Sequence, residues 1–211
     1  CRVVVVTGAG RGFCSGLDLS APSPPEAGDG TEFPRSGMRW QERIADLTAK
    51  IHRLRQPVIA AVNGVAYGGG LGIAAACDIR LASPTARFCT QFIKLGLGGC
   101  DIGVSYTLPR IIGAGAAFDL ILTARAVDAE EALRLGLVSR VADSVADEAL
   151  AIAETLCGYG KFGVESTKQV LWANLEASSL EAALHLENRS QILASTSGEM
   201  REAASEVLRK S

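Results

Sequence analysis

Three glycine-rich stretches and one isolated carboxylate hold the residues whose types and spacing suit chemistry. The first stretch runs Thr7-Gly8-Ala9-Gly10-Arg11-Gly12-Phe13-Cys14-Ser15-Gly16-Leu17-Asp18-Leu19. The second runs from Asn63-Gly64 through Gly68-Gly69-Gly70 to Ala76-Cys77-Asp78-Ile79, and the third is Gly96-Leu97-Gly98-Gly99-Cys100-Asp101-Ile102-Gly103. Glycine carries no Cβ, so a ligand can approach its backbone N–H closely. A helix opening near Gly70 would add the positive end of its dipole. A carboxylate such as Asp101, placed beside such a site, can take up and return a proton. The plainer alternative is that the glycines form tight turns and that Asp101 caps a helix from Ile102 onward.

The first stretch superficially resembles the phosphate loop of a dinucleotide-binding fold, but that loop must open a helix whose N-terminus holds the pyrophosphate. Here it runs into Cys14 to Leu19 and then a proline-rich segment, and no Tyr-x-x-x-Lys pair follows. That reading is rejected. The two histidines, His52 and His185, lack a partner acid at a telling spacing and read as packing or surface residues. The cysteines at 1, 14, 77, 89, 100 and 157 include no CxxC pair, so zinc ligation and a disulfide framework are poor readings. Cys14 and Cys89 fall near the glycine loops, where a thiol that simply packs is the commoner use. Asp18 and Asp78 read as structural, holding turns through backbone hydrogen bonds.

The elements that must position these residues alternate. Val3 to Val6 is a β-branched run closed by Thr7-Gly8, and Val58 to Val62 is a second short strand. Between them, Ser20 to Gly37 is rich in Pro, Gly, Ser and acidic residues and reads as a loop. Ile44, Leu47, Ile51 and Leu54 then keep helical spacing until Pro57. The small apolar run Leu71 to Ala76 reads as a closely packed helix, and Ile79 to Ala82 and Ala86 to Cys89 as strands. Asp128 and Glu131 have capping-box spacing for a helix over Ala129 to Leu135, followed by a strand from Leu137 to Val141. From Ser144 onward only helices are expected, with Ser178 and Glu181 repeating the capping spacing. The pattern predicts an α/β core over residues 1–143 and a helical region over 144–211 that docks on the core or on a neighbouring subunit.

Composition limits the function classes. With 211 residues, 48% hydrophobic, 21% charged and a net charge of -2, the chain is an ordinary globular sequence. Without a basic excess it offers nucleic acid no footprint. Its apolar runs fall short of the roughly 20 residues that cross a bilayer, and no signal peptide is visible. Reduced thiols and a cytoplasmic setting fit this composition. The chain opens abruptly in a strand, so a preceding segment is expected.

Taken in order, the motifs resemble the enoyl-CoA hydratase/isomerase (crotonase) superfamily. Phe13-Cys14-Ser15-Gly16-Leu17-Asp18-Leu19 is similar to its F-x-x-G-x-D-[IL] loop, and Val58 to Ile79 is similar to its A-x-x-G-x-[AC]-x-G-G-G signature ending in [CA]-D-[IL]. Leu108-Pro109-Arg110, Thr123-Ala124-Arg125 and Gly136-Leu137-Val138 match its later helices. The resemblance implies a spiral of repeated ββα units with a C-terminal helical region, assembled as a homotrimer or hexamer. It implies an acyl-CoA thioester as substrate, with no cofactor beyond the CoA that the substrate carries. The N–H groups of Leu17 and Gly69 would stabilise the negative charge that develops on the thioester oxygen. Ser15 and Leu17 would line the CoA entry, Gly68 and Gly69 would bind the thioester, and Phe92 would shape the acyl pocket with the helix around Arg39-Trp40.

The chain departs from the family's hydratases where they carry two catalytic glutamates: those positions are Gly72 and Phe92. Counting back from Leu108-Pro109, Asp101 matches the proton-transferring aspartate of the superfamily's dienoyl-CoA isomerases, with one extra residue after Gly96. The resemblance thus implies Asp101 as acid/base, which suits double-bond isomerisation better than hydration. A dry pocket beside Phe92 would strengthen each remaining charge. Another acyl-CoA reaction (thioester hydrolysis, dehalogenation, decarboxylation) and a non-catalytic CoA-thioester binder are the alternatives.

Overall fold

The computed structural model describes residues 1–20 and 34–210. Strands β1 (Val4–Thr7), β2 (Val58–Val62), β4 (Ile79–Ala82) and β7 (Arg140–Val141) form a parallel sheet in the order β1-β2-β4-β7, with Val5 opposite Ile59 and Ala61 opposite Leu81. Strands β3 (Val65–Tyr67), β5 (Arg87–Cys89) and β6 (Val127–Asp128) form a second sheet, in which β3 and β5 run parallel and β6 antiparallel to β5. A bridge from Cys14 to Ala66 extends that sheet by one position. The chain therefore visits the first sheet, then the second, then a helix, and repeats. β1, the Cys14 bridge and α1 (Arg35–Arg53) make one turn; β2, β3 and α2 (Gly69–Ala76) make the next; β4, β5 and α3 (Val104–Ile112) make a third. This is the expected spiral of ββα units.

Small residues set the pitch of the spiral. β2 is buried along its whole length, and α2 buries six of its eight residues, among them Gly70, Ala74, Ala75 and Ala76. A Cβ on Gly70 would stand 1.9 Å from the carbonyl oxygen of Cys14, so only glycine lets α2 lie this close to the first loop. After α3 come α4 (Ala114–Thr123), α5 (Ala129–Arg134), α6 (Val145–Gly158), α7 (Lys161–Asn174), α8 (Leu180–Thr196) and α9 (Glu199–Lys210). Val145 and Ala149 of α6 pack on Ile59, Ala61 and Leu81 of the first sheet. The cap of α5 is as read from the sequence: the Asp128 carboxylate accepts the Glu131 N–H at 2.9 Å.

The structure corrects four local expectations. Most of the proline-rich loop falls on residues 21–33, outside the described residues, but Arg35 to Gly37 already belong to α1. Pro34 precedes that helix, a place where its missing N–H costs nothing. The cap of α8 is Ser179, which accepts the Ala182 N–H at 3.2 Å, one residue after the expected Ser178. The strand expected from Leu137 shortens to Arg140–Val141, because Leu137 and Val138 are buried under α5 as a turn. Asp101 does not cap α3: Gly103 holds the cap position, and the helix begins at Val104.

Candidate active site

Asn63 ties the two glycine loops together. Its amide nitrogen donates to the carbonyls of Gly8 (3.1 Å) and Gly10 (3.0 Å), and its amide oxygen accepts the Gly8 N–H at 3.0 Å. Cys14 then runs beside β3: its N–H donates to Val65 O at 2.9 Å and its carbonyl accepts the Tyr67 N–H at 2.9 Å. This ladder delivers Gly16, at φ +98°, against the start of α2. A Cβ on Gly16 would lie 3.2 Å from Tyr67 O and 3.4 Å from the Gly69 nitrogen. Gly68, also at positive φ (+50°), turns the chain from β3 into α2 and donates its N–H to Cys89 O at 2.9 Å.

The result is a pair of backbone donors. Neither the Leu17 N–H nor the Gly69 N–H bonds to another group among the described residues. Gly69 is the first residue of α2, so its N–H belongs to the unsatisfied set at a helix N-terminus, where the dipole is positive. Backbone donors held by a ladder and a helix cannot swing away, and fixed dipoles of this kind stabilise charge that develops on a nearby oxygen. Ser15 and Leu17 are exposed, Leu17 at 62%, at the outer rim of this arrangement.

Two apolar side chains wall the donors. Phe92, 7% exposed, opens a short 3-10 helix (Phe92–Leu95) and places its ring 3.5 Å from where a Cβ on Gly68 would stand. Ile102 is buried, with its Cδ1 3.7 Å from the Cβ position of Gly69 and 2.2 Å from that of Gly72. Ile102 does this from a left-handed backbone, φ +39°, which is a steric outlier for a β-branched residue. Both positions where the resemblance expected glutamates are therefore part of this dry wall.

Asp101 stands directly beside that wall. It is half-buried, and its Oδ1 accepts both the Ile102 N–H (2.6 Å) and the side-chain amide of Gln41 on α1. Thus the structure packs Gly68 against Phe92 and Gly69 against Gly16 and Ile102, with Leu17 and Asp101 adjoining them in the chain and Ser15 exposed. Asn63, Gln41 and Ile102 were missed from sequence. In sequence Asn63-Gly64 reads only as part of a glycine motif, and nothing in local pattern links Gln41 to a residue sixty positions away.

The remaining candidates take structural places. Asp18 Oδ1 accepts the Ser20 N–H at 2.9 Å. Asp78 accepts from Val58 N–H (2.7 Å), Trp172 Nε1 (2.6 Å) and Lys168 Nζ (2.8 Å). His52 stacks on Trp172 at 4.0 Å, and burial pushes it below the usual imidazole range; His185 is exposed. Cys89 donates to Ala124 O, and burial pushes the Cys77 thiol up to about 12, leaving it inert. No cluster of three metal-ligating side chains occurs among the described residues, and no described helix is long and apolar enough to cross a membrane. A cavity of about 710 Å³ lies elsewhere, between Asp78 to Arg80 at the start of β4 and the helices α6 and α7. The glycine loops instead follow the C-terminal ends of β1, β2 and β3, the end of parallel strands at which ligands bind in α/β folds.

The comparisons agree with this geometry. The family model described as Enoyl-CoA hydratase/isomerase matches residues 1–208. A Mycobacterium bovis protein named "Probable enoyl-CoA hydratase echA12" is 46% identical over 193 residues, covering 90% of this chain and 68% of that protein. The 1,2-epoxyphenylacetyl-CoA isomerase of Escherichia coli K12 is 37% identical over 211 residues, covering 99% of this chain and 79% of that one. Among solved structures, one described as a "probable enoyl-CoA hydratase/isomerase from Mycobacterium abscessus" superposes with a TM-score of 0.91 at 43% identity, covering 99% of this chain and 79% of its own. Fold, motif order and relatives coincide, and the chain belongs to the enoyl-CoA hydratase/isomerase family.

Proposed function

We propose that this acyl-CoA-processing enzyme shifts the double bond of an enoyl-CoA thioester, with Asp101 as its acid/base. The thioester oxygen would sit between the N–H groups of Leu17 and Gly69. Asp101 removes a proton from the α carbon of a 3-enoyl or the γ carbon of a 2-enoyl thioester. The electron pair moves into a conjugated enolate whose oxygen charge the two donors hold. The same carboxyl returns the proton at the other end of the conjugated system, so no atom is gained or lost. Ser15 and Leu17 line the CoA entry, while Gly68 and Phe92 border the reacting carbons. CoA arrives as part of the substrate, and no separate cofactor takes part. Assembly as a homotrimer or hexamer and a cytoplasmic setting belong to the same proposal.

The observation that carries this reading is the apolar filling of both glutamate positions, Gly72 beneath Ile102 and Phe92 against Gly68, with Asp101 beside them. Hydration needs a water activated on one side and a proton delivered on the other, a task for two groups. Isomerisation needs one carboxylate that reaches two carbons. A relative from Arabidopsis thaliana named "Delta(3,5)-Delta(2,4)-dienoyl-CoA isomerase, peroxisomal" is 37% identical over 184 residues, which supports the reading.

The test is incubation of the enzyme and its Asp101→Asn variant with 2-enoyl and 3-enoyl CoA thioesters in deuterated water, read by mass spectrometry. Deuterium uptake with a shifted double bond, lost in Asp101→Asn, is the expected result. Net addition of water would identify a hydratase instead. Turnover unchanged in Asp101→Asn would remove the carboxylate from the mechanism. Intact, unlabelled substrates across the panel would leave another acyl-CoA reaction or a binding role.

A further inference from the structure

Asp101 Oδ1 is bound twice, by the Gln41 side-chain amide and by the Ile102 N–H, whereas Oδ2 meets no donor among the described residues. We propose that Gln41 is a positioning residue for the acid/base, a role that rests on the assignment of Asp101 above: it fixes one carboxylate oxygen so that the other faces the reacting carbons. The geometry on both sides is stiff. Ile102 is pinned between Gly69 and Gly72, so the backbone leaving Asp101 has little freedom. Gln41 stands on α1, which is anchored through buried Thr48 and Ile51, and a Cβ on Gly103 would lie 3.6 Å from Thr48 Oγ1. Helix α1 thus meets the 101–103 segment at Gly103 as well as at the hydrogen bond, and α2 holds Ile102 between them.

The chemistry of the amide suits the task. A neutral carboxamide neither takes the proton nor cancels the charge of the carboxylate, as lysine or arginine would. Its NH2 also serves both protonation states, because Oδ1 accepts from it whether Oδ2 is ionised or carries the proton. A residue one helical element away can therefore hold Asp101 through a complete proton transfer and return. Gln41 is itself exposed, so the bond contributes little to global stability and its loss leaves a folded protein.

The test compares the parent enzyme, Gln41→Met, Asp101→Asn and the double variant in the deuterium assay, with binding of saturated butanoyl-CoA as the second readout. Gln41→Met keeps the length of the side chain and removes its polar end. The expected result is a fall in kcat of about ten- to a hundredfold, since misplacing a catalytic group is that costly, with KM and butanoyl-CoA affinity within twofold of the parent. In the Asp101→Asn background the same change should cost nothing further, because the two residues act as one unit. A Gln41→Met enzyme with unchanged kcat, or with raised KM alone, overturns the positioning role while Asp101→Asn still abolishes turnover and upholds the acid/base. An Asp101→Asn enzyme of full activity overturns both.

Discussion

Ile102 occupies the space that Gly72 leaves open: its Cδ1 lies 2.2 Å and its Cγ1 2.4 Å from where a Cβ on Gly72 would stand. Neither residue makes sense alone. A glycine inside the eight-residue α2 weakens the helix, and a β-branched residue at φ +39° is strained. Together they close the wall beside Gly69 and hold the backbone that carries Asp101.

Restoring a glutamate at position 72 should therefore fail on this scaffold. Gly72→Glu drives a side chain into Ile102 and should destabilise the fold by about 1–3 kcal/mol, the usual cost of overpacking a core. Adding Ile102→Ala should return part of that loss, because it clears the colliding atoms. Denaturant midpoints of the single and double variants measure it. Equal midpoints for Gly72→Glu with and without Ile102→Ala would show that the two side chains do not compete for one space.

Gly16→Ala tests the donor pair from the other side. The new methyl would meet Tyr67 O at 3.2 Å and the Gly69 nitrogen at 3.4 Å, at a φ of +98° that alanine resists. To relieve this, the loop carrying Leu17 must retreat from Gly69. In the proposed mechanism this removes one oxyanion donor, a loss of about 100- to 1000-fold in kcat, so turnover should fall by that order while far-UV circular dichroism stays native.

The fold was largely legible in the chain because its signals are local. β-branched runs marked β1 and β2 and Asp128 marked the start of α5, whereas α1 ends at Arg53, four residues before the Pro57 expected to stop it. β3 (Val65–Tyr67) is hidden because it lies between the Asn63-Gly64 turn and the Gly68-Gly69-Gly70 run and reads as part of the glycine loop. The candidate site was legible only where glycine motifs carried it. Its other half depends on contacts between distant positions: Gln41 meets Asp101, and Gly72 meets Ile102, thirty residues on. Such pairs are set by how α1, α2 and the 101–103 segment pack, which no window of sequence contains.

Lys168 should prove the main fastening of the helical region. Its side chain is only 4% exposed, and Nζ is shared among Asp78 Oδ2 (2.8 Å), Gln56 O (3.0 Å) and Ile51 O (3.1 Å). It thereby joins α7 to the end of α1 and the start of β4. Removing one partner of a buried ion pair costs about 3–5 kcal/mol. Lys168→Met should fall at the low end of that range, since Asp78 keeps the Val58 and Trp172 N–H donors. Asp78→Leu should cost more, leaving a buried ammonium with carbonyls alone. Urea denaturation of the two variants gives the order, and the reverse order would contradict this account of the cluster.

His52 should make stability depend on pH just below neutrality. Burial lowers its pKa in the folded state, Asp78 and Glu176 act against that, and Lys168 reinforces it. Its Nε2 is buried without a hydrogen-bond partner among the described residues, and its ring stacks on Trp172 at 4.0 Å. The unfolded chain, with imidazole near its ordinary pKa of about 6.5, then binds a proton that the folded state refuses. Stability from this residue is complete above that pH and declines as pH falls toward the folded pKa. Melting temperatures taken from pH 7.5 to 5.5 should decrease, and His52→Phe, which keeps the stack and cannot protonate, should flatten the lower part of that curve. Every other titratable group, His185 included, is common to both proteins, so the comparison isolates His52. Parallel curves for the two proteins would mean that His52 is protonated in the folded state without penalty, and that the Trp172 stack tolerates the charge.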